Sequence, residues 1–522
     1  AAQVAAHAAS FGVGFPVVKD PLNRVADQLS VERTCEVLVL DGAGRLRYRG
    51  AIDDQYHLRG RKDAPTRSYL TEALDAVLAG RTVAKPVTPV VGCPIERVGP
   101  RLASNNVARV GAAAPALVEA RKRMDAATPL AVGAVTYASD VAPILQAKCQ
   151  ACHRPGQVGP FPLLSYDHAK RWAASMREVV DEYRMPPWHA DPRFGHFAND
   201  RSLSPRERAV LMAWVDQGSP PGDPDKAPPP RTFPEGWSIG TPDVVFTMKE
   251  PFAVPAEGTV EYQHFWVPTR FAEDRWIQAA EARPGERSVV HHIGIYIDDH
   301  DPAHQKFGPD TRPVLACYFP GEQPSVFEPG IAKRIPAGAD LIFEVHYTPV
   351  GSPRSDRSSV ALIFAKEPVA HRAVTRGIPN KEFTIPARVA DHAVRSSYTF
   401  PAAAHLLSFM PHMHLRGKDF RYTAVYPDGT SEVLLSVPAY DFAWQAVYRL
   451  AAPKRLPRGT RVDCLAHFDN SADNPANPDP DQAVSWGEQS WEEMMIGYID
   501  YYEDGPSSDK DSAGADRRGA ED

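Results

Sequence analysis

The chain has 522 residues with a formal net charge of −7, and 24% of its residues are charged. A chain of this length exceeds one hydrophobic core, so several domains are expected, and the lack of a basic stripe argues against nucleic acid as a partner. No run of about 18 apolar residues occurs, so no membrane-spanning segment is predicted, and the 51 prolines favour short strands, turns and stiff linkers.

The first hundred residues show an α/β pattern. Residues 37–40 (VLVL) are predicted as a buried strand, residues 41–44 as a hairpin turn, and residues 45–50 as the return strand. Apolar residues recur at helical spacing over residues 68–78. A hairpin followed by a helix is therefore predicted.

This region resembles the second half of a thioredoxin-like, peroxiredoxin-type domain. The resemblance rests on residues 33–41 (RTCEVLVLD) and 48–54 (YRGAIDD), and the partial domain is assigned to residues 1–97. The family's first strand and reactive-cysteine segment are missing, and Cys35 stands where the family usually has its active-site proline. Cys35 and Cys93 form a disulfide or redox pair in one interpretation and remain two structural thiols in the other.

A C-x-x-C-H motif follows at residues 149–153 (CQACH), after a predicted short helix at residues 139–146. In this motif Cys149 and Cys152 form thioethers with a porphyrin, and His153 ligates the iron. The alternative is a zinc knuckle or a redox C-x-x-C, but zinc needs two further ligands at similar spacing and no second C-x-x-C occurs. A covalently attached haem c is therefore predicted.

The sixth iron ligand is expected downstream of this motif. Met185 is the first candidate, because the two prolines after it in residues 184–189 (RMPPWH) restrict the backbone and hold the thioether on a loop. Met176 and His189 are the alternatives, and core packing is the other role open to Met185.

A closing helix is predicted after this loop. Ser204 is its N-cap, Pro205 its first residue, Glu207 completes a capping box, and Gly218 ends it. A helix that carries C-x-x-C-H, a Met-Pro loop and a closing helix together resemble a cytochrome c domain over residues 134–221. The resemblance implies an α-helical domain here.

From residue 233 onward short alternating runs are separated by Pro/Gly turns, which predicts two packed β-sandwiches. His291 and His292 are adjacent in the run VVHHIGIY, so they reach one ion only if a bulge re-aims one of them. His346 is central in a second predicted strand, FEVHY. Each also has a plain interpretation as a core histidine with its hydrogen bonds satisfied.

His412 and His414 form an H-x-H in the run MPHMHLRG. Residues two apart on a strand point to the same face, so both imidazoles can reach one ion. Met494 lies in the run WEEMMIGY, where a methionine that fills a core is the plain alternative.

These motifs, taken in order, resemble the copper type II, ascorbate-dependent monooxygenases, the family of peptidylglycine α-hydroxylating monooxygenase and dopamine β-monooxygenase. The resemblance spans about residues 231–503 and implies two separate copper sites. It implies as ligands of one copper His291, His292 and His346, and as ligands of the other His412, His414 and Met494, with Met495 as a substitute. A thioether favours Cu(I), so the second site is expected to meet O₂ and the all-histidine site to store and pass an electron.

The family's substrate contacts carry over only in part. Met410 stands where the peptide enzyme has the arginine that holds a substrate carboxylate, and Ile496 where it has an asparagine, whereas the catalytic-site tyrosine is retained as Tyr498. Loss of the arginine removes a bidentate carboxylate clamp. A small apolar or neutral C–H substrate is therefore expected rather than a peptide carboxylate.

The motifs together predict a copper-dependent monooxygenase that hydroxylates a C–H bond with O₂. Electrons from an external donor are expected to pass through the covalently bound haem to the all-histidine copper. The alternative is a non-catalytic periplasmic copper-binding protein that transfers electrons, but an open three-ligand set, which leaves a position for O₂, favours the enzyme.

Covalent haem attachment and copper loading predict an extracytoplasmic location, most simply a bacterial periplasm. No signal peptide is visible, and the chain begins with Ala1 rather than Met, so we expect a native N-terminus that is processed or lies upstream.

The predicted fold class is multidomain: a partial thioredoxin-like α/β domain, an α-helical cytochrome c domain and two all-β sandwiches of jelly-roll type. The predicted segments are residues 1–97, a linker at 98–133, the haem domain at 134–221, a Pro-rich linker at 222–232, sandwiches at 233–366 and 367–503, and a disordered tail at 504–522. Pairing of Cys317 with Cys464 stays open. Surface or packing roles are assigned to His264, His371, His392, His405 and His467.

Overall fold

The computed structural model describes residues 31–91 and 132–504, apart from residues 32, 58–59, 302–311, 443 and 475, and it also describes residues 25, 26, 29 and 122. The chain divides into two compact units, Ala1–Val110 and Gly111–Asp522. Cys93, the predicted tail beyond residue 504 and most of the predicted linker at residues 98–133 lie outside the described residues.

The described part of the first unit is a hairpin with a helix. Its elements are β1 (Val37–Leu40), β2 (Leu46–Gly50), β3 (Tyr56–His57), β4 (Gly60–Arg61) and α1 (Tyr69–Leu78). β1 pairs antiparallel with β2, and β3 with β4. A small core joins hairpin and helix through Val39, Tyr48, Ala73, Ala76 and Val83. The hairpin and helix predicted from the sequence are confirmed.

In the described residues, four short α-helices open the second unit. After a π-helix at Tyr137–Val141 they are α2 (Ala142–Lys148), α3 (Tyr166–Arg171), α4 (Ala173–Asp181) and α5 (Pro205–Asp216). They share a core that includes the fully buried Trp214. The capping box predicted for α5 is confirmed, because the Ser204 hydroxyl accepts a hydrogen bond from the Glu207 N–H and the Glu207 carboxylate accepts one from the Ser204 N–H.

Two sheets form a first β-sandwich. Its strands are β5 (Val244–Thr247), β6 (Phe252–Val254), β7 (Gln263–Pro268), β8 (Arg275–Arg283), β9 (Val290–Asp298), β10 (Val314–Tyr318), β11 (Ser325–Val326), β12 (Ile331–Ile335), β13 (Asp340–Tyr347), β14 (Arg354–Asp356), β15 (Ser359–Phe364) and β16 (His371–Arg372). One sheet has the order β10-β9-β13-β7 and the other β16-β12-β8-β15-β5. Apolar side chains from both sheets, such as Phe343 and Leu362, are fully buried between them.

Two further sheets form a second β-sandwich. Its strands are β17 (Val374–Arg376), β18 (Pro379–Asn380), β19 (Thr384–Ile385), β20 (His392–Thr399), β21 (Ala404–His412), β22 (Gly417–Val425), β23 (Ser431–Val437), β24 (Tyr448–Leu456), β25 (Arg461–Phe468), β26 (Val484–Ser485) and β27 (Met495–Glu503). The sheet orders are β17-β27-β21-β24 and β20-β25-β22-β23. Phe409, Tyr422 and Leu435 are fully buried in the core between them.

The fold class predicted for the whole chain is wrong. Of the described residues, 35% lie in strands and 13% in helices, and the five α-helices among them are only 6 to 12 residues long. The helices predicted around residues 139–146 and 204–218 are present, but they do not form the predicted α-helical cytochrome c domain. The β-sandwich part of the prediction is confirmed.

The loop between α4 and α5 gives the physical reason for this correction. Trp188 is buried in the core of the second sandwich, and Phe197 forms an antiparallel bridge with Leu450 in β24. The N–H of Ala198 donates to the carbonyl of Arg449 at 2.8 Å. The loop thus covers an edge strand of the sandwich instead of closing a separate helical domain.

Candidate metal centre

Three imidazoles meet in the first sandwich. Ring nitrogens of His291, His292 and His346 all lie within 4.8 Å of one another. The pairing of β9 with β13 sets His346 opposite His292 but Tyr347 opposite Val290, so His291 is an extra residue in β9. Such a β-bulge turns the side chain of the extra residue. The adjacent residues His291 and His292 can therefore point toward the same place, although neighbouring residues of a regular strand point to opposite faces.

Burial favours the neutral form of two of these imidazoles, His292 and His346. Desolvation, with smaller contributions from neighbouring histidines, lowers the pKa of His292 well below its ordinary value. Desolvation, followed by the nearby His412, lowers the pKa of His346 to about 4. The His346 Nδ1 is buried and has no hydrogen-bond partner among the described residues. Because a metal binds the neutral imidazole, this nitrogen is suited to be a ligand.

Aromatic side chains enclose the three imidazoles. By ring centroid, the contacts are Tyr262 to His346 at 4.8 Å, Phe319 to His292 at 5.7 Å, and Phe442 to His291 at 4.8 Å. Phe442 lies in the loop between β23 and β24 of the second sandwich. Both sandwiches therefore contribute to the surroundings of the three histidines.

The two histidines of the H-x-H lie at the end of β21. His412 is the last residue of the strand, and its ring centroid is 5.3 Å from that of His414. The Nδ1 of His412 is 2.7 Å from Gln445 Oε1, and the Nδ1 of His414 is 3.3 Å from the carbonyl oxygen of Glu492. Nδ1 hydrogen bonds leave the Nε2 atoms for a metal. The Nε2 of His414 is buried without a hydrogen-bond partner among the described residues.

Glu493 holds this pair beside the start of β27. Its fully buried carboxylate accepts a hydrogen bond from the N–H of His414 at 2.9 Å and one from the N–H of Arg416 at 2.6 Å. Burial raises the pKa of Glu493 to about 8, although these hydrogen bonds act in the opposite direction. The carboxylate therefore joins the backbone of the H-x-H to the residue that precedes Met494.

Met494 directly precedes β27 and lines the same cavity as His412. The pairing of β21 with β27 sets His412 opposite Ile496. The N–H of His414 donates to the carboxylate of Glu493, the residue directly before Met494. The structure thus brings the three residues predicted for the second site to one end of one strand pair.

A cavity of about 1120 Å³, counting the solvent at its mouth, lies between the two sandwiches. Residues of both predicted sites line it, together with the three positions compared with the family's substrate contacts: His292, His412, Met494, Met410, Ile496 and Tyr498. The Tyr498 ring is 6.4 Å from the ring of His412. One cavity therefore faces both groups of ligands.

A carboxylate also belongs to the cavity wall. Glu344 accepts a hydrogen bond from the Tyr296 hydroxyl at 3.1 Å, and its other oxygen is 3.2 Å from His264 Nε2. His264, which the sequence suggested as a surface or packing residue, thus contacts a residue of the cavity.

The C-x-x-C-H motif follows α2 directly. Cys149 caps the helix, and both it and Cys152 are free thiols. The Nδ1 of His153 is 3.0 Å from the carbonyl oxygen of Phe161, which leaves Nε2 to ligate an iron. Burial lowers the pKa of His153. Two free thiols beside a neutral, oriented imidazole fit a covalently attached haem.

One loop of the first sandwich touches this motif and the three histidines. A Cβ placed on Gly321 would lie 3.4 Å from the Sγ of Cys152 and 3.4 Å from the ring of Trp444. Phe319, two residues earlier in the same loop, is in ring contact with His292. The motif is therefore packed against the sandwiches close to the three-histidine site.

The candidates for the sixth iron ligand lie on and after α4. Met185 is half-buried in the loop that follows this helix, and its N–H donates to the carbonyl of Val179 at 3.1 Å. Met176 is buried in the helical core, and His189 is also buried. The identity of this ligand stays a prediction.

Sequence reasoning missed the residues that surround the ligands, namely Tyr262, Phe319, Phe442, Gln445 and Glu493. Glu493 alone carried a usable signal, because a carboxylate directly before a buried strand requires hydrogen-bond donors. The others lie in loops, where spacing in the sequence does not show which element a side chain contacts.

The remaining cysteines do not pair with each other in the described residues. Cys317 lines the cavity, Cys464 is buried in the second sandwich and Cys35 is exposed, and all three are free thiols. Within the described part of the chain, no helix has both the length and the apolar character needed to cross a membrane.

Comparisons with known proteins do not assign the chain to a family. No family model and no curated protein matches it. The structure of a hypothetical protein, SMc02350 from Sinorhizobium meliloti 1021, is similar at 32% identity over 19% of this chain and 53% of its own length, with a TM-score of 0.18.

Two other solved structures match at 8% identity over 50% of this chain. The major capsid protein P2 from Bacteriophage PM2 is covered over 97% of its length with a TM-score of 0.23, and PNGF-II over 65% with a TM-score of 0.24. Similarity at this level carries no argument about function.

Proposed function

We propose that the second unit is a copper-dependent monooxygenase that hydroxylates a C–H bond of a small apolar or neutral substrate with O₂. Its copper ligands would come from two groups of residues: the three-histidine set (His291, His292 and His346) and the H-x-H set (His412, His414 and Met494). The observation that carries the proposal is that one cavity between the sandwiches is lined by His292 of the first set, which clusters with its two partners, and by His412 and Met494 of the second.

The donor atoms of both sets suit copper. Imidazole binds both oxidation states of copper, and a thioether favours Cu(I). Two buried ring nitrogens, His346 Nδ1 and His414 Nε2, have no hydrogen-bond partner among the described residues. Copper bound at these sets would supply the activation of O₂ that hydroxylation of a C–H bond requires.

The chain's own residues orient the ligands and shape the substrate site. Gln445 and the carbonyl of Glu492 hold the H-x-H imidazoles by their Nδ1 atoms. Met410 and Ile496 make their part of the cavity wall apolar, and Lys333, which also lines the cavity, already donates to Val314, Leu315 and Thr375 rather than to a substrate carboxylate. These contacts support an apolar or neutral substrate.

We also propose that Cys149, Cys152 and His153 hold a covalently attached haem, which would supply electrons from an external donor when bound. The packing of Cys152 against Gly321, and the contact of Phe319 with His292, support a short path from this motif to the three-histidine set. Covalent haem attachment and copper loading favour an extracytoplasmic location, which we propose to be a bacterial periplasm.

The test of the oxygenase measures copper content, O₂ uptake and product together. The purified full chain is loaded with copper, supplied with a reductant and ¹⁸O₂, and assayed against neutral and carboxylate-bearing substrates. We expect two copper ions per chain and one ¹⁸O atom in a hydroxylated neutral product, with loss of product in His412→Ala and Met494→Ala. Copper binding without O₂ uptake would instead favour a non-catalytic electron-transfer protein.

A separate test addresses the haem. We expect haem to stay attached after denaturation of the wild-type chain and to be lost in Cys149→Ala. O₂ uptake driven by the reduced haem should vanish in His153→Ala and in Met185→Ala. Unchanged uptake in these variants with ascorbate as the only reductant would count against the electron path.

A further inference from the structure

Phe442 contacts a histidine of each ligand set. Its ring is stacked on that of His291 with a centroid distance of 4.8 Å and an interplanar angle of 24°. It also meets the ring of His414 edge-on, at 5.8 Å and 78°. The side chain is only 9% exposed. One buried aromatic ring is therefore in contact with an imidazole of each set.

The loop that carries Phe442 is fastened to the H-x-H set. The Tyr440 hydroxyl is hydrogen-bonded to the carbonyl of Met413 at 2.7 Å and to the N–H of Met413 at 3.1 Å. The amide of Gln445 donates to the carbonyl of Phe442 at 3.2 Å, while its oxygen contacts His412. The ring of Phe442 therefore has a position set by the second sandwich although it stacks on a ligand from the first.

We infer that Phe442 is a positioning residue that keeps the two ligand sets apart, so that each set holds its own single copper ion. The inference rests on the proposed function, since it requires copper at both sets. It adds a determinant of the site that lies in neither set and that binds no metal itself.

The physical reason is exclusion of volume. An aromatic ring in contact with both His291 and His414 occupies volume that a water, hydroxide or imidazole bridging metals at these two residues would need. Removing the ring opens that volume beside both imidazoles. Two Cu(II) ions that share a bridging ligand couple magnetically and lose their electron paramagnetic resonance (EPR) signal, whereas two isolated Cu(II) ions keep it.

The experiment compares bound copper with EPR-visible copper in the full chain. The variants are Phe442→Ala and the milder Phe442→Leu. The control is Phe319→Leu, because Phe319 is in ring contact with His292 of the three-histidine set and, among the described residues, with neither histidine of the H-x-H set. Each protein is loaded with Cu(II), its copper is quantified, and its EPR signal is integrated. Circular dichroism and the unfolding temperature establish which variants are folded.

We expect all bound copper to be EPR-visible in the wild-type chain and in Phe319→Leu. The visible fraction should fall in Phe442→Leu and fall further in Phe442→Ala, or the copper content should drop to one ion per chain. If Phe442→Ala does not fold, the comparison of Phe442→Leu with Phe319→Leu decides. Two isolated copper signals in a folded Phe442 variant would overturn the inference and leave the proposed function intact, whereas a wild-type chain that binds no copper would overturn both.

Discussion

Ligand atoms in the candidate site are aimed by residues that are not ligands. The side-chain oxygen of Gln445 contacts the Nδ1 of His412, and the carbonyl of Glu492 contacts the Nδ1 of His414. The Glu493 carboxylate accepts hydrogen bonds from the backbone N–H groups of His414 and Arg416. Hydrogen bonds of this kind select the ring nitrogen that is left for a metal. Individual substitutions at these positions should therefore change metal affinity without removing a ligand.

Gln445→Ala removes the acceptor that faces His412 Nδ1. Because such outer contacts orient the ligand, we expect the copper affinity of the H-x-H set to fall by about 10- to 100-fold, measured by competition with a Cu(I) chelator. Gln263→Ala is the control, since in the described part of the chain the Gln263 side-chain amide donates to the exposed carbonyl of Glu261 and to no histidine. Equal affinities in the two variants would show that the Gln445 contact does not orient His412.

Glu493→Gln replaces one buried acceptor oxygen with an N–H₂ group that faces a backbone N–H. The unsatisfied donors should lower the free energy of unfolding by about 1–3 kcal/mol, measured by denaturant titration with tryptophan fluorescence. Glu492→Gln is the control, because the Glu492 carboxylate is half-buried and, among the described residues, accepts one hydrogen bond, from the N–H of Gln489. Equal losses in both variants would contradict a special role for Glu493.

Among the elements, the bulge in β9 decides whether three histidines meet. Regular pairing would send His291 and His292 to opposite faces of the sheet. The register shift at Tyr347 places His291 as an extra residue, and its Nδ1 then lies 3.1 Å from that of His292. The alternation of the strand in the sequence does not reveal such an insertion.

A loop of the first unit should show a defined pH dependence. Burial raises the pKa of Asp54, but hydrogen bonds from Lys62 and Thr66 outweigh it and lower the pKa from 3.8 to about 2. Since the unfolded carboxyl has the higher pKa, this stabilisation is present above pH 3.8 and is lost as the pH falls toward about 2. As the pH falls from 3.8 to about 2, amide hydrogen exchange of residues 46–78, corrected for intrinsic rates, should accelerate in the wild type but not in Asp54→Asn. Asp53→Asn should keep the wild-type dependence.

For the whole molecule, a buried ammonium joins the two sandwiches. Lys333 of β12 donates to the carbonyls of Val314 and Leu315 at 2.9 and 3.0 Å, and to the Thr375 hydroxyl of β17 at 2.7 Å. It also lies 3.8 Å from the Asp500 carboxylate of β27. All three of its N–H donors are therefore used.

Lys333→Met should lower the free energy of unfolding of the full chain by about 1–3 kcal/mol, because the carbonyls of Val314 and Leu315 lose a buried donor and the half-buried Asp500 carboxylate loses its nearby cation. Adding Asp500→Asn should cost less than the sum of the two single changes, which a double-mutant cycle in urea measures. Lys366→Met removes an exposed pair with Asp243 and should cost less than about 1 kcal/mol. An additive cycle would contradict the coupling between the sandwiches.

Much of the local structure could be predicted, whereas the packing of the helical segment against the second sandwich could not. The strand at residues 37–40 and the capping box of α5 depend on neighbours within a few positions, so composition and spacing suffice. The helical signals around the C-x-x-C-H motif were just as local. They predicted helices correctly but not that Trp188 would be buried in the second sandwich.

The sequence by itself determined which side chains are available as ligands and on which short elements they lie, because hydrophobic alternation, caps and motif spacing act over a few residues. Only the tertiary structure decided that His291, His292 and His346 converge through a bulge, and that Phe442 from a distant loop reaches His291. Such contacts join positions far apart in the chain, and they depend on how two sandwiches pack, which no local pattern encodes.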